Sequence, residues 1–129
     1  MIDDSRKLLD LIAQAIYDRK GFNILALDVS KVSSMARYFV IAEGNIDRHV
    51  LALSHSISDS LREVGEKPLR VEGLSSGDWT VMDYGDVIIH LFMPEMRERY
   101  ALEELWKDAE VIDVKIDVEA PVQVRGARR

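Results

Sequence analysis

The stretch that decides the fold is Gly77–Phe92, which reads GDWTVMDYGDVIIHLF. It contains two alternating apolar runs, Trp79–Tyr84 and Val87–Phe92, which are separated by the pair Gly85-Asp86. A two-residue connection that begins with glycine between two such runs predicts a β-hairpin. The sequence therefore predicts two neighbouring antiparallel strands in the second half of the chain.

The two faces of this predicted hairpin differ in composition. In this hairpin Tyr84 lies opposite Val87. Since side chains alternate along each strand, this pairing determines which residues of the two strands lie on the same face. The first face is mostly apolar and consists of Thr80, Met82, Tyr84, Val87, Ile89 and Leu91. The second face is aromatic but also carries a carboxylate and an imidazole, and it consists of Trp79, Val81, Asp83, Ile88, His90 and Phe92.

Two long helices are predicted before the hairpin. The first is capped by Asp3 or Asp4 and runs to about Lys20, and the second begins with Asn45 as N-cap and ends at Gly65. Each has apolar residues at helical spacing along one side. These stripes are Leu8, Leu9, Ile12 and Ile16 in the first helix, and Val50, Leu53, Ile57, Leu61 and Val64 in the second.

Strands are predicted at Phe22–Val29, Tyr38–Ala42 and Leu69–Glu72, and a short helix at Pro94. Ile112–Val118 alternates strictly between apolar and charged residues, which predicts a half-buried edge strand. The order of these elements predicts one α/β domain, with a mixed β-sheet and the two long helices on one face.

The composition narrows the class of protein. The chain has 129 residues, 47% hydrophobic and 31% charged, with a net charge of −6 and no cysteine. It lacks a secretory signal and any apolar run of about 18 residues, so we expect a cytoplasmic protein without a membrane span. An acidic balance disfavours a protein that grips nucleic acid through phosphates and favours a basic protein partner.

Metal and acid–base chemistry have little support in the sequence. His49 and His55 are six residues apart on a helix, so they point in different directions and are expected to be solvated. His90 stands alone on its strand and is expected to be structural. Asp83 and Asp86 flank a turn and point apart, so Asp83 is interpreted as a turn-stabilising acceptor or an interface residue rather than one of two metal-binding carboxylates.

Phosphate binding is also weakly supported. Gly44-Asn45 precedes a helix, but ordinary capping explains this pair equally well. Gly73–Gly77 lacks the Lys-Ser or Lys-Thr ending of a phosphate loop. The sequence therefore predicts no catalytic residues, no metal and no cofactor.

The second hairpin face needs a cover, because both long helices lie on the other side. The segments that remain follow the hairpin and carry Tyr100, Leu105 and Trp106. One alternative is that they cover the face completely. The other is that part of it stays open as an aromatic docking patch, with a rim of Glu95, Arg97 and Glu103.

Gly77–Phe92 resembles the ribosomal silencing factor (Iojap-related) family, and three other stretches agree in order and spacing. The first is Leu27–Val29 with Ser33-Ser34 and Tyr38–Ala42, the second is Gly44-Asn45 with Asp47-Arg48, and the third is Glu95 with Arg97, Tyr100, Leu102-Glu103, Leu105-Trp106 and Asp108-Ala109. The likeness runs from about residue 5 to residue 109. It implies a family domain at 1–109 and a C-terminal extension at 110–129.

The resemblance implies a nucleotidyltransferase-like fold without catalytic residues, and therefore not an enzyme. It further implies a cytoplasmic factor that binds the large ribosomal subunit through large-subunit protein fourteen. Such a factor blocks joining of the small subunit and represses translation under nutrient limitation. It is a homodimer when free and makes little direct contact with nucleic acid. The alternatives are a large-subunit assembly factor and a divergent nucleotidyltransferase.

The resemblance also implies which residues contact the partner. They are Trp79, Asp83, Tyr84, His90, Glu95, Arg97, Tyr100, Leu102, Glu103 and Trp106. Tyr84 falls on the opposite face of the predicted hairpin, so either the turn is displaced by one residue or Tyr84 belongs to the core. Glu43 and Ile46 depart from the family's small residues, and both are expected to lie away from the contact region.

Overall fold

The structure is a computed structural model that describes residues 4–118 with the exception of 102, 103 and 105. Its helices are α1 (Asp4–Asp18), α2 (Asp47–Glu63) and α3 (Pro94–Tyr100). Its strands are β1 (Phe22–Asp28), β2 (Tyr38–Glu43), β3 (Arg70–Glu72), β4 (Trp79–Asp83), β5 (Val87–Phe92) and β6 (Glu110–Ile112). The predicted α/β class and the predicted order of elements are confirmed.

The six strands form one mixed sheet in the order β3-β4-β5-β2-β1-β6. β2 and β5 are parallel, and the other neighbouring strands are antiparallel. The hairpin has the predicted register, since Met82 pairs with Ile89 and the Tyr84 N–H donates to the Val87 carbonyl at 2.9 Å. Gly85 has φ +89°, a left-handed conformation that favours glycine at this turn.

α1 and α2 cover one face of the sheet, as predicted. Leu9, Ile12, Leu53 and Ile57 are fully buried and belong to the same core as the inward side chains of β2 and β5. Each such side chain stabilises the fold by about 1.5–3 kcal/mol. No helix in the described part of the chain is long and apolar enough to cross a membrane.

The start of α2 differs from the prediction. Its N-cap is Ile46, without a side-chain cap hydrogen bond, and the Asn45 N–H donates instead to Nδ1 of His49 at 2.9 Å. Nε2 of His49 lies 2.7 Å from the carbonyl of Arg19, just beyond α1. His49 is therefore not a solvated surface residue, because its ring links the end of α1 to the first turn of α2; His55 is exposed as expected.

The segment after β6 also differs from the prediction. An edge strand is present, but it spans Glu110–Ile112 and ends where Ile112–Val118 was expected to begin. Residues 113–118 lie along α1, where the Lys115 N–H donates to Asp10 at 2.9 Å and the Asp117 N–H donates to Gln14 at 2.6 Å. Polar side chains of α1 thus replace the hydrogen bonds of a strand. The division of the chain at residue 109 stays a prediction.

Candidate docking surface on the second sheet face

The second face of the sheet is covered only in part by described residues. Its own buried cluster includes Leu27, Phe39, Ile41, Ile88 and Phe92. Met96 from α3 and Trp106 from the following segment pack onto this cluster and are themselves half-buried. Among the described residues the cover is therefore partial, and Leu105, which was expected to contribute to it, lies outside them.

The uncovered part is a groove of about 350 Å³, which we call the docking groove. It lies beside Trp106 and reaches the β3–β4 edge of the sheet. Its lining combines six apolar or aromatic side chains with three charged ones: Met35, Phe39, Val81, Ile88, His90 and Trp106, and then Arg70, Glu72 and Asp83. Met35 is 75% exposed, so one wall is a flexible apolar side chain open to solvent.

Aromatic rings connect the groove to α3. The Trp79 ring lies 4.5 Å from that of Tyr100 and 5.0 Å from that of Phe92, between centroids. Trp106 meets Phe39 edge-on at 5.2 Å. Phe92 is sealed in the interior, but Trp79 and Trp106 are half-buried and Tyr100 is 44% exposed. Accessible aromatic area therefore extends from the docking groove to the end of α3.

His90 is held in one tautomer at the base of this surface. The Trp79 Nε1–H donates to His90 Nδ1 at 3.2 Å, so in the neutral ring the proton is on Nε2. Burial lowers the pKa of His90 from 6.5 to about 4, because the charged form loses hydration. At neutral pH the ring is uncharged, as suits the structural role that was expected of it.

The two carboxylates of the hairpin turn have separate partners. Asp83 Oδ1 accepts from the Gly85 N–H at 2.8 Å, which is the turn-stabilising role predicted for it. Asp86 accepts from the Ser5 hydroxyl at 3.2 Å. Among the described residues no group of three His, Cys, Asp or Glu side chains could hold a metal ion.

Two of the residues carried over from the family lie away from the docking groove. Tyr84 is 8% exposed and packs in the helix-side core, so the register was right and Tyr84 is a core residue. Burial raises the pKa of Tyr84.

Arg97 is 11% exposed and pairs with Glu43 at 3.0 Å, so it is not part of a solvated rim. Glu43, which was expected to lie away from the contact region, is therefore in contact with one of the predicted contact residues.

The remaining predicted contact residues are distributed as follows. Glu95 is exposed in the first turn of α3. Leu102 and Glu103 lie outside the described residues. Trp79, Asp83, His90, Tyr100 and Trp106 are brought together on the second face.

Four residues of the docking groove were missed by the sequence analysis, namely Met35, Phe39, Arg70 and Glu72. Arg70 and Glu72 flank Val71 in β3, and antiparallel pairing with β4 places Arg70 opposite Asp83. Alternation in the predicted strand could have placed both on the second face. Met35 lies in the β1–β2 loop, and no sequence pattern places it there.

Fold and surface together describe a small α/β protein whose mixed sheet presents an aromatic groove beside a short helix. The chain belongs to the RsfS family, described as "Ribosomal silencing factor during starvation", whose sequence profile matches residues 2–129. This confirms the resemblance that was drawn from Gly77–Phe92. The role of that family is regulatory.

Individual relatives agree with this assignment. The chain is 37% identical over 111 residues to the ribosomal silencing factor RsfS of Bacillus subtilis, which covers 86% of this chain and 94% of that one. It is 30% identical over 101 residues to the mouse protein "Mitochondrial assembly of ribosomal large subunit protein 1", covering 76% and 44%. A crystal structure of a Chromobacterium violaceum protein matches with a TM-score of 0.77 and 33% identity, covering 90% and 96%.

Proposed function

We propose that this chain binds the large ribosomal subunit through large-subunit protein fourteen and thereby prevents the small subunit from joining. The observation that carries the proposal is the open aromatic surface of Trp79, Tyr100 and Trp106 beside the docking groove, in a member of a ribosomal silencing family. The protein acts in the cytoplasm, and its free form is a homodimer that makes little direct contact with nucleic acid.

The chemistry of the surface suits a protein partner. Tryptophan and tyrosine are among the residues that contribute most to binding energy at interfaces, because they bury large area at little cost in conformational entropy. The neutral His90 adds a ring without the desolvation cost of a charge. Asp83 and Glu72 at the rim can accept hydrogen bonds from basic side chains, and a net charge of −6 speeds encounter with a basic protein.

The mechanism is steric and requires no reaction. A standard interface buries about 800 Å² on each partner, which is sufficient for specific binding by a domain of this size. A 14.7 kDa body seated at the joining face excludes the incoming subunit. Inhibition therefore scales with the concentration of the factor relative to its dissociation constant.

The test is cosedimentation with purified large subunits, followed by light scattering when small subunits are added. Trp106→Ala should weaken binding and restore subunit joining, because it removes one wall of the docking groove. Tyr17→Ala is the matched control, since Tyr17 is a 37% exposed aromatic residue on α1, on the opposite side of the sheet. If folded Trp106→Ala protein bound and blocked like wild type, the surface would be wrongly assigned.

A second candidate function is assembly of the large subunit, which the name of the mouse relative favours. The same surface would then engage immature particles instead of mature ones. Sedimentation of cell extracts separates the two functions. Silencing predicts that the protein migrates with mature large subunits, whereas assembly predicts that it migrates with lighter precursor particles.

A further inference from the structure

His90 has one ring nitrogen that is paired within the protein and one that is not. The Trp79 Nε1–H occupies Nδ1, and an indole N–H can only donate, so the neutral ring carries its own proton on Nε2. Within the described part of the chain, Nε2 has no hydrogen-bond partner. A side chain that is only 9% exposed therefore holds a donor without an acceptor.

This donor is accessible from the docking groove. Among the described residues, the buried side-chain atoms that lack both solvent contact and a hydrogen-bond partner are Thr80 Oγ1 and the Tyr84 hydroxyl oxygen. Nε2 of His90 also lacks a partner but is not one of these atoms, so part of its surface is open. Since the His90 side chain lines the docking groove, an acceptor can reach Nε2 from there.

Strand register places His90 between the charged and the aromatic parts of the groove floor. Two rows of side chains cross the sheet, and neighbours within a row lie about 5 Å apart while the rows lie about 7 Å apart. The first row is Glu72, Val81 and His90, and the second is Arg70, Asp83, Ile88 and Phe39. All of these residues belong to β2, β3, β4 or β5, so the sheet itself holds the donor in position.

The apolar surroundings make the unpaired donor selective. Val81 and Ile88 are the neighbours of His90 on the floor, and neither can accept a hydrogen bond. A partner that filled the groove with apolar groups alone would remove water from Nε2 and leave its proton unpaired, which costs about tenfold in affinity. A partner that places an acceptor over Nε2 avoids this cost.

The charges of the groove favour a neutral acceptor. Arg70 is the one cation among the described lining residues, and it lies 3.5 Å from Glu72 and 3.9 Å from Asp83. One positive charge is thus shared by two carboxylates, and a partner carboxylate would add a third negative charge. A main-chain carbonyl is neutral and is available in every peptide segment.

We propose that His90 is a specificity-determining residue of the docking groove, whose Nε2–H donates to a neutral carbonyl oxygen of the partner protein. The partner segment presents this carbonyl beside an apolar side chain that packs against Phe39 and Trp106. Trp79 is a positioning residue, because its N–H selects the tautomer with the proton on Nε2. This role rests on the proposed function, since the partner is the ribosomal protein named there.

The tautomer is tested on the free protein. Nitrogen NMR spectra of isotope-labelled histidine distinguish a proton on Nε2 from one on Nδ1, and at neutral pH we expect His90 to carry it on Nε2. Trp79→Phe keeps an aromatic ring but removes the N–H, so a measurable share of the Nδ1–H tautomer should appear. A wild-type ring protonated on Nδ1, or an unchanged tautomer in folded Trp79→Phe protein, would overturn the positioning role.

Binding is tested by titration with purified large ribosomal subunits. His90→Phe keeps a ring but removes the donor, and it should weaken binding about tenfold. The Trp79 N–H that loses its acceptor is unpaired in both the free and the bound variant, so this defect affects stability more than affinity. His90→Gln should recover part of the affinity, because an amide can accept from Trp79 and donate to the partner. His55→Phe is the matched control on α2 and should bind like wild type.

A measurement on the wild-type chain does not depend on how well the variants fold. Addition of purified large-subunit protein fourteen should slow the exchange of the His90 Nε2 proton with water, because a hydrogen-bonded proton is protected. Exchange that stays equally fast in the complex, or equal affinity of folded His90→Phe protein and wild type, would overturn the donor role alone. Failure of the wild-type chain to bind large subunits would overturn the proposed function as well.

Discussion

Arg97 and Glu43 form an ion pair that fastens α3 to the sheet. Arg97 Nη1 lies 3.0 Å from Glu43 Oε2, and the two side chains are only 11% and 9% exposed. Arg97 also donates to the carbonyl of Asn23, whose side-chain amide donates to Glu43 Oε2 at 3.1 Å. Met96 packs on the buried cluster of the second face and Tyr100 contacts Trp79, and the ion pair adds a polar attachment of α3 to the sheet.

Removing one partner of this ion pair should destabilise the folded protein. We expect Glu43→Ala to lower the free energy of unfolding by about 3 kcal/mol, since it leaves a guanidinium buried without its counter-charge. Urea denaturation measures the change, and Glu98→Ala on α3 is the control. A loss no larger than that of the control would contradict the anchoring role of the pair.

His90 should make the stability of the folded protein depend on pH in the acidic range. Its pKa is about 4 in the folded protein and 6.5 when unperturbed, so between these values the unfolded chain binds more protons. The contribution of His90 to the free energy of unfolding is complete above pH 6.5 and is lost as the pH falls toward 4. This loss amounts to roughly 3 kcal/mol at most. The His90→Gln variant should lose less stability than wild type between pH 7 and pH 4.5 in denaturation experiments.

The titration of His90 can also be observed directly. Imidazole NMR signals of His90 should stay in the neutral position down to about pH 5. Titration of His90 near its ordinary pKa of 6.5 would show that the second face is hydrated around this ring, contrary to its 9% exposure.

Tyr100 offers a separate test of the docking surface. Its ring stacks on Trp79 and is 44% exposed, so a partner can bury it further. We expect Tyr100→Ala to weaken binding to large subunits by about 30-fold, equivalent to about 2 kcal/mol for an interface hot spot. Tyr100→Phe should keep most of the affinity, because the stacking ring remains. Equal binding by wild type and Tyr100→Ala would exclude this residue from the interface.

Gly73 and Gly65 form a matched pair for a stability test. Their φ angles are +87° and +84°, so alanine at either position meets the same strain of about 1–2 kcal/mol. A Cβ at Gly73 would also lie 2.0 Å from the carbonyl oxygen of Trp79, whereas at Gly65 nothing lies within 4 Å. Gly73→Ala should therefore lower the melting temperature more than Gly65→Ala. Equal effects would mean that the loop before β4 shifts to make room for the added Cβ without further loss of stability.

Much of the candidate site followed from local patterns. The alternation on either side of Gly85 placed Trp79, Asp83 and His90 on one face and Met82 on the other, and the register agrees. The family assignment from Gly77–Phe92 was confirmed by the match over residues 2–129.

Other features depended on residues far apart in the chain. The pairing of Arg97 with Glu43 spans 54 residues, so helical spacing gave no sign that Arg97 points into the fold. Met35 and Arg70 meet in the docking groove only because the β1–β2 loop and β3 approach the same face.

The sequence by itself determined the hairpin, its two faces, the helical stripes and the family, because these features follow from patterns among residues that are close together along the chain. Tertiary structure decided that Tyr84 is core, that residues 113–118 lie on α1, and that the described residues cover the second face only in part. The physical reason is that burial and hydrogen-bond partners depend on which segments pack together. A strand pattern such as Ile112–Val118 satisfies its backbone equally well against a sheet edge or against the polar side chains of a helix.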